Sequence, residues 1–350
     1  MENPGSLQRI PFLGLFDVLV SLLAKFAENR ILGSDRISAQ NNISSERDCP
    51  KSPARRYFTP RDSIPMVLAP LTVPAHGSAL SAEVKIALEA AVAGANVIRD
   101  WVGKPLAMEE KGVGDLVSEV DKRAEASVLR VLESSPIRAS VLSEESEPSV
   151  VEGSSHCWIV DPLDGTSAFL FRVGDPFPSV LVALEQDDHP LVGVVLFPLT
   201  GECFYSHRGM GAYKDGVRLH APNPRRLQDV WIDMNQYGNA RYETGMFAYL
   251  RNKLRTREGA KLVTSLPPHS GVAMRLLDGT TGLSAVVHDN NSDNVKQAPW
   301  DIAAPRAILT EAGGCFVSLR TGRDIQTRDC EPMVVTGDRA LAQEIIDLVQ

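Results

Sequence analysis

Apolar side chains recur three or four positions apart in several segments of the chain, which is the spacing of an amphipathic helix. Ser81 stands before the first segment as a plausible N-cap, and Gly313-Gly314 follows a later segment that opens with a proline, as is typical of helix ends. Pro305 in that later segment fits only in or near the first turn. The predicted helices cover residues 81–101, 119–134, 299–312 and 338–349.

Shorter apolar runs between these helices are bounded by turn residues and predict β-strands. The predicted strands are 140–143, 158–161, 179–185, 191–197 and 202–207. Lys214-Asp215-Gly216 adds a hairpin turn. Helices followed by antiparallel strands, and then by alternating strands and helices, favour an α+β or layered α/β fold.

The N-terminal part of the chain has a different pattern. Residues 10–27 are densely apolar, but Asp17 and Lys25 interrupt the run, so no stable membrane span is predicted. A secretory signal or anchor is the alternative, although no convincing cleavage site follows. Residues 33–65 read as a disordered linker, and a start of translation at Met66 is a further hypothesis. We expect an extension over residues 1–75 and one folded domain over 76–350.

Composition and charge narrow the class of protein. The chain has 350 residues, 43% of them hydrophobic and 23% charged, which is typical of a globular protein. Its net charge of −8 argues against a nucleic-acid partner, and an acidic protein that handles phosphate needs cations to mediate the contact. Five scattered cysteines without a Cys-x-x-Cys pair favour reduced thiols and a cytoplasmic location.

A short acidic motif follows the predicted strand 158–161. The strand delivers Asp161 at its C-terminal end, Pro162 stops the backbone ladder, and Asp164 follows on a turn completed by Gly165. Two carboxylates so placed can converge on a hard cation, with the Leu163 carbonyl as a third oxygen ligand. Oxygen ligands alone suit Mg²⁺ or Mn²⁺, whereas Zn²⁺ prefers His and Cys.

Gly165-Thr166-Ser167 has the composition of a helix start, whose free N–H groups and positive dipole end could receive a phosphate. Thr166 would add a hydroxyl there. The alternative interpretation of the whole motif is an ordinary strand-turn-helix cap, because Asp, Gly and Thr are favoured in turns for local reasons.

Further acids stand at the ends of other predicted elements. Glu144-Glu145 end a strand, where two buried adjacent carboxylates are costly without a cation. Asp121 and Asp301 lie in the first turns of two helices. Taken singly, each of these acids could be a solvated or helix-capping residue. Such separate interpretations do not explain why so many strand-end and helix-start acids occur in one chain, each beside an apolar segment.

Together these motifs resemble the inositol monophosphatase family, within the lithium-sensitive, magnesium-dependent phosphatase superfamily that includes fructose-1,6-bisphosphatase. The similarity extends from Ser81 to the C-terminus. It implies an αβαβα sandwich, a homodimer and hydrolysis of a small phosphorylated metabolite. The motifs that carry it are residues 115–121, Glu144-Glu145, Asp161-Pro-Leu-Asp-Gly-Thr166, Arg208-Gly-Met-Gly-Ala-Tyr213, Trp300-Asp301 and Glu311-Ala-Gly-Gly314.

The resemblance also implies a set of metal ligands for two to three Mg²⁺ ions, with Mn²⁺ as a substitute. Glu144, Asp161 and the Leu163 carbonyl would bind the first ion. Asp161, Asp164 and Asp301 would bind the second. Glu144 would also face a third, loosely held ion.

The catalytic residues implied by the resemblance are Asp121, Thr166 and Glu144. Asp121 and Thr166 would orient the attacking water, and Glu145 would be a neighbouring acid behind Glu144. No covalent nucleophile is required, and none of the seven histidines lies in a metal or nucleophile motif. The residues implied to contact substrate are Asp164, Gly165, Thr166 and Asp301.

The substrate side departs from the family pattern. The family has a glutamate seven residues before the Trp-Asp aspartate, and this chain has Asn294 there. Residues 173–176 alter the loop after the motif, and residues 272–278 replace a small-residue substrate contact. A small sugar or polyol phosphate, with inositol monophosphate leading, is the expected substrate. The alternatives are a 3′(2′),5′-bisphosphate nucleotidase acting on 3′-phosphoadenosine 5′-phosphate, for which Arg275 is the only hint, and a non-catalytic metabolite-binding protein.

Overall fold

The computed structural model describes residues 57–58, 69–73, 80–104, 106–112, 115–171, 178–222, 226–236, 245–256, 259–265, 270–279, 282–289, 298–329 and 331–350. The predicted apolar segment 10–27 and most of the predicted linker lie outside these ranges. Tyr57–Phe58, within the linker, forms strand β1 and pairs with Leu106–Gly112, which is β2. The division of the chain at residue 75 stays a prediction.

Two helices and a seven-stranded sheet enclose the first hydrophobic core. The helices are α1 (Ala82–Trp101) and α2 (Glu119–Glu133). The strands, in order across the sheet, are β10 (Val217–Leu219), β9 (Gly211–Lys214), β8 (Cys203–His207), β7 (His189–Leu196), β6 (Ser179–Gln186), β5 (His156–Asp164) and β4 (Ser140–Ser143). All neighbours are antiparallel except β4 and β5. Before α2, β3 (Asp115–Ser118) pairs with β2.

Alternation along the strands places a second core on the other face of this sheet. Trp158 and Val160 on β5 belong to the first core, whereas Ile159 belongs to the second, because successive side chains of a strand point to opposite faces. Helix α5 (Pro299–Glu311) and a 3₁₀ helix (Ser270–Leu276) fill this second core.

One face of a five-stranded sheet packs on the second core, and its other face packs on a third core. Its order is β12 (Leu262–Thr264), β11 (Trp231–Gln236), β13 (Leu283–Asp289), β15 (Met333–Thr336) and β14 (Cys315–Ser318). On its far face lie α4 (Gly245–Leu254), α6 (Arg339–Asp347) and a short 3₁₀ helix (Leu227–Asp229). Together with α3 (Thr166–Phe171), the elements form the predicted layered α/β sandwich.

The structure confirms the four predicted helices within two residues at each end, including the Ser81 cap, whose Oγ accepts from Val84 N at 3.3 Å. The expectation for Pro305 is wrong, because it lies in the interior of α5, well beyond the first turn. Proline lacks the N–H that would bond the carbonyl four residues earlier, yet the helix continues through it, and the residue is buried.

The predicted strands also form, with one informative difference. Strand β5 continues past Pro162 to Asp164, and its pairing with β6 shifts register between Asp161 and Asp164. Pro162 therefore interrupts the ladder without ending the strand.

The described residues bear on two predictions, the lack of a stable membrane span and the reduced state of the cysteines. Among them, no helix combines the length and the apolar character needed to cross a bilayer. Cys157, Cys203 and Cys315 are free thiols. Burial raises the pKa of the Cys157 and Cys315 thiols to about 11, so neither is poised as a nucleophile. Cys49 and Cys330 lie outside the described ranges.

Candidate active site

A β-bulge at the end of β5 places two aspartates on one side of the sheet. Asp161 pairs with Leu181 and Asp164 with Ser179. The step between these two pairs covers three residues on β5 but only two on β6. In a regular strand, residues three apart point to opposite faces, and one extra residue cancels this alternation. Both carboxylates consequently lie on the face of the second core.

Asp164 is held by donors from two distant parts of the chain. Its Oδ2 accepts from Ser179 Oγ at 2.5 Å and from Gly271 N at 2.9 Å, and its Oδ1 accepts from Ser270 N at 2.7 Å. The carboxylate is 3% exposed. Charged acceptors strengthen such hydrogen bonds, so Asp164 has a fixed orientation.

Asp301 enters from the first turn of α5. Its Oδ2 accepts from Ala298 N at 2.6 Å, as a helix-capping acid does. Its Oδ1 accepts from Ser270 Oγ at 3.2 Å. Ser270 therefore joins the two acids, through its backbone N–H to Asp164 and through its hydroxyl to Asp301.

The three aspartates Asp161, Asp164 and Asp301 converge, with one oxygen of each lying within 4.8 Å of the others. Burial raises the pKa of Asp161 well above its ordinary value, and the charges of Glu144, Asp164 and Asp301 raise it further. Such a group is unfavourable as three bare anions. Its all-oxygen donor set fits a hard divalent cation such as Mg²⁺ or Mn²⁺.

Glu144 approaches this carboxylate group from the end of β4. Its backbone N–H donates to Val160 O at 3.3 Å, beside Asp161 on the neighbouring strand. Its charge acts on Asp161, but Glu144 is not one of the three acids whose oxygens lie within 4.8 Å of one another. The structure thus places Glu144 beside the group rather than in it.

A hydroxyl and a second buried acid lie next to the bulge. Thr166 Oγ1 lies 2.7 Å from Asp121 Oδ1 and 2.9 Å from the Leu163 carbonyl oxygen, and either can accept its single hydroxyl hydrogen. Asp121 Oδ2 accepts from both N–H and Oγ of Ser118, at 2.8 and 2.6 Å, in a capping box at the start of α2. Gly165 has a φ of +81°, a backbone conformation that favours glycine at this turn.

Burial raises the pKa of Asp121, while its hydrogen bonds with Ser118 and Thr166 act in the opposite direction. At 1% exposure, this carboxyl holds protons more tightly than an ordinary aspartate. Asp121 and Thr166 thus form a buried, hydrogen-bonded pair beside the three aspartates.

Sequence reasoning missed Ser179, Ser270 and Gly271, which donate to Asp164. It also missed Glu125, whose Oε1 accepts from Glu145 N and Ser146 Oγ next to Glu144. Glu125 follows Asp121 by four positions on α2, and that spacing places both acids on one helix face, a signal that was available. Ser179, Ser270 and Gly271 act on Asp164 from 15, 106 and 107 residues away. Two of those contacts come from backbone N–H groups, which leave no trace in the sequence.

Arg275 does not support a nucleotide pocket. It is 5% exposed, and its guanidinium donates to Glu202 and Asp278. The same group lies 4.7 Å from the centre of the Phe197 ring. Arg275 is thus engaged inside the fold, and the one sequence hint of adenine binding is lost.

Comparison with known proteins agrees with this geometry. A model of the inositol monophosphatase family matches residues 80–350. An inositol-1-monophosphatase from Mesorhizobium japonicum is 32% identical over 278 residues, covering 78% of this chain and 97% of the relative. A fructose-1,6-bisphosphatase/inositol-1-monophosphatase from Aquifex aeolicus is 29% identical, covering 76% and 94%. The extragenic suppressor protein suhB from Bartonella henselae superimposes with a TM-score of 0.67 at 27% identity, covering 77% and 99%.

Fold, carboxylate group and relatives together define a phosphatase, that is, a phosphoric monoester hydrolase. The chain belongs to the inositol monophosphatase family.

Proposed function

We propose that this phosphatase uses Mg²⁺ to release phosphate from a small polyol or sugar phosphate, with inositol monophosphate as the leading candidate. The observation that carries the proposal is the convergence of Asp161, Asp164 and Asp301 within 4.8 Å in the core-facing bulge. A structural role alone does not account for the convergence of two buried carboxylates and the half-buried Asp301, because their mutual repulsion destabilises the fold.

The proposed Mg²⁺ ligands are all oxygen atoms. Asp161, Asp164 and Asp301 would hold the ion or ions, with Glu144 and the Leu163 carbonyl contributing at the β4 side. Two to three Mg²⁺ ions are proposed, and Mn²⁺ is the expected substitute because it accepts the same oxygen ligands. When bound, Mg²⁺ would offset the charge of a phosphate dianion and make water a better nucleophile.

Thr166 and Asp121 would orient the attacking water and take its proton. The Thr166 hydroxyl donates to Asp121, which leaves lone pairs on Oγ1 to accept from a water molecule. Asp121 has a raised pKa, so it is a stronger base than a solvated aspartate and can take the proton that Thr166 passes on. Ser118 fixes the Asp121 carboxyl from the other side. Water then attacks phosphorus directly, and no side chain is phosphorylated.

The substrate class is proposed from the relatives of the chain. Relatives named inositol-1-monophosphatase favour an inositol phosphate, and one named also as fructose-1,6-bisphosphatase favours including sugar bisphosphates. Asp164, Gly165, Thr166 and Asp301 are the proposed substrate contacts. A homodimer and a cytoplasmic location stay predictions, which light scattering and cell fractionation of the full-length protein would check.

A phosphate-release panel tests the function. The substrates are inositol 1-phosphate, fructose 1,6-bisphosphate, histidinol phosphate and 3′-phosphoadenosine 5′-phosphate, each with and without Mg²⁺ and Li⁺. We expect turnover that requires Mg²⁺ and is highest with inositol 1-phosphate. Preference for the bisphosphonucleoside would select the nucleotidase alternative, and no turnover of any substrate would favour a non-catalytic role.

Asp161→Asn tests the site with the same assay. We expect phosphate release to fall at least about 100-fold, the scale for loss of a group that acts on the transition state, while the circular dichroism spectrum stays unchanged. Asp100→Asn is the matched control, because Asp100 is exposed on α1, a helix that carries none of the proposed ligands. Wild-type turnover in Asp161→Asn would refute the proposed site.

A further inference from the structure

Helix α2 carries two buried acids one turn apart, and each one reaches a different segment of the site. Asp121 is 1% exposed and contacts Thr166, which follows β5. Glu125 is 6% exposed and contacts the segment that follows β4. Residues four apart lie on the same face of a helix, separated by about 6 Å along its axis.

Glu125 binds the segment next to Glu144 through one oxygen. Its Oε1 accepts from Glu145 N at 3.1 Å and from Ser146 Oγ at 3.2 Å. The preceding residue, Glu144, is tied to β5 by its own backbone N–H, which donates to the Val160 carbonyl. The backbone around Glu144 is therefore attached on one side to β5 and on the other side to α2.

These ties oppose a repulsion that the site itself creates. Glu144 follows β4 directly, and its backbone N–H donates to Val160 O next to Asp161, so its carboxylate is repelled by the neighbouring aspartates. Residues 146–150 beyond it are exposed, and two backbone hydrogen bonds between Ser149 and Val141 join them to β4. A charged acceptor on a rigid helix supplies hydrogen bonds stronger than a neutral one would.

We infer that Glu125 is a positioning residue that holds Glu144 beside the carboxylate group. Helix α2 then sets the distance between the two halves of the metal site, because Asp121 fixes the Asp161–Thr166 turn and Glu125 fixes the Glu144 segment. Glu125 contacts neither metal nor substrate in this arrangement. The inference rests on the proposed function, since Glu144 matters only if the site binds a cation.

The test measures metal binding directly, in full-length protein stripped of metal. Mn²⁺ is titrated and free Mn²⁺ is followed by electron paramagnetic resonance, so the readout does not depend on turnover. We expect Glu125→Ala to weaken Mn²⁺ binding roughly 10- to 100-fold, the range for residues that orient metal ligands. Glu125→Gln keeps an acceptor oxygen for Glu145 N and Ser146 Oγ, and is expected to bind within about threefold of wild type.

Glu119→Ala is the matched control on the same helix. Glu119 is exposed and pairs with Arg123 on the helix surface, so its loss is expected to leave Mn²⁺ binding unchanged. Equal affinity in Glu125→Ala and wild type would overturn the inference, as would an equal loss in Glu119→Ala and Glu125→Ala. If Glu125→Ala does not fold, Ser146→Ala replaces it, with a loss of about threefold expected and wild-type affinity overturning the inference.

The Mn²⁺ titration of the wild type distinguishes a failure of the proposed function from a failure of the role inferred for Glu125. If the wild type binds no Mn²⁺, both the proposed function and this inference fail. If the wild type binds Mn²⁺ and Glu125→Ala binds it equally well, the metal site stands and only the role of Glu125 fails.

Discussion

Asp164 shows how the site is organised at the scale of single residues. Two backbone N–H groups and the Ser179 hydroxyl donate to its two oxygens. These donors offset part of the negative charge that Asp164 adds beside Asp161 and Asp301. They also fix which lone pairs remain for a cation. The close approach of Gly271 makes this possible, because a side chain at that position would occupy the space of Ser179.

Gly271→Ala is expected to disturb Asp164 selectively. An added Cβ would lie 2.4 Å from Ser179 Oγ and 3.3 Å from Asp164 Oδ2, so the serine and the carboxylate must move. We expect phosphate release to fall at least about 10-fold, since small displacements of positioned groups are costly in catalysis. Overpacking is expected to lower the free energy of unfolding by about 1–3 kcal/mol. Initial rates and urea unfolding measure the two effects.

Gly282→Ala is the control for this substitution. No atom lies within 4 Å of a Cβ built at Gly282, so the same chemical change meets open space. Its activity is expected to match wild type, and its stability to change by no more than about 0.5 kcal/mol. Unchanged activity in Gly271→Ala would show that Asp164 tolerates displacement and would contradict the assigned importance of its orientation.

At the scale of elements, the parts of the site that could be predicted from sequence are those with local signals. Asp121 and Asp301 each lie in the first turn of a helix whose apolar spacing and start signal are visible in the sequence. The sequence predicted that Asp161 and Asp164 converge, but it placed Asp164 on a turn after the strand, whereas a bulge in the pairing of β5 with β6 brings the two together. Ser270 and Gly271 were beyond prediction, since their backbone donors reach Asp164 only in the folded chain.

A second ionic group joins different elements away from the proposed metal site. Glu202, just before β8, accepts from both terminal nitrogens of Arg275 at 2.9 and 2.8 Å and from Lys214 Nζ at 2.6 Å. Asp278 contacts the same two cations. The group thereby links the β8–β9 hairpin to the end of the longer 3₁₀ helix, which carries Ser270 and Gly271 at its other end.

Glu202→Gln is expected to reduce stability in a pH-dependent way. Hydrogen bonding from Arg275 lowers the pKa of Glu202 to about 2, below its ordinary value of 4.5. The unfolded chain therefore binds this proton more readily, so the contribution of Glu202 is fully present above pH 4.5 and is lost as the pH falls toward 2. At pH 7 we expect a loss of about 2 kcal/mol, the scale of hydrogen bonds to charged groups.

Urea unfolding at pH 7 and at pH 3 measures that dependence. The difference between wild type and Glu202→Gln is expected to shrink at the lower pH, because at pH 3 the unfolded wild-type chain takes up a proton at Glu202 while the folded chain mostly does not. Glu133→Gln, at an exposed position on α2, is the control and is expected to have little effect at either pH. A Glu202→Gln difference that is equal or larger at pH 3 would contradict the assigned role.

At the scale of the whole molecule, the carboxylate group joins two layers of the fold. Asp161 and Asp164 belong to the seven-stranded sheet, whereas Asp301 belongs to α5, which packs between the two sheets. In the absence of a cation, repulsion among these acids acts against the packing of α5 on the sheet. A bound cation would convert that repulsion into attraction, so metal and fold should stabilise each other.

Metal removal should therefore destabilise the entire folded domain. A ligand at 100 times its dissociation constant adds about 2.7 kcal/mol to the free energy of unfolding, which corresponds to roughly 5–10 °C in Tm for a domain of this size. We expect Mg²⁺ to raise the Tm of EDTA-treated protein by that amount in differential scanning calorimetry. Asp301→Asn should abolish the increase, and its metal-free Tm should equal or exceed that of wild type, because one of three repelling charges is gone. Asp100→Asn should keep the full increase, and a Mg²⁺ effect that survives in Asp301→Asn would place the ion elsewhere on the protein.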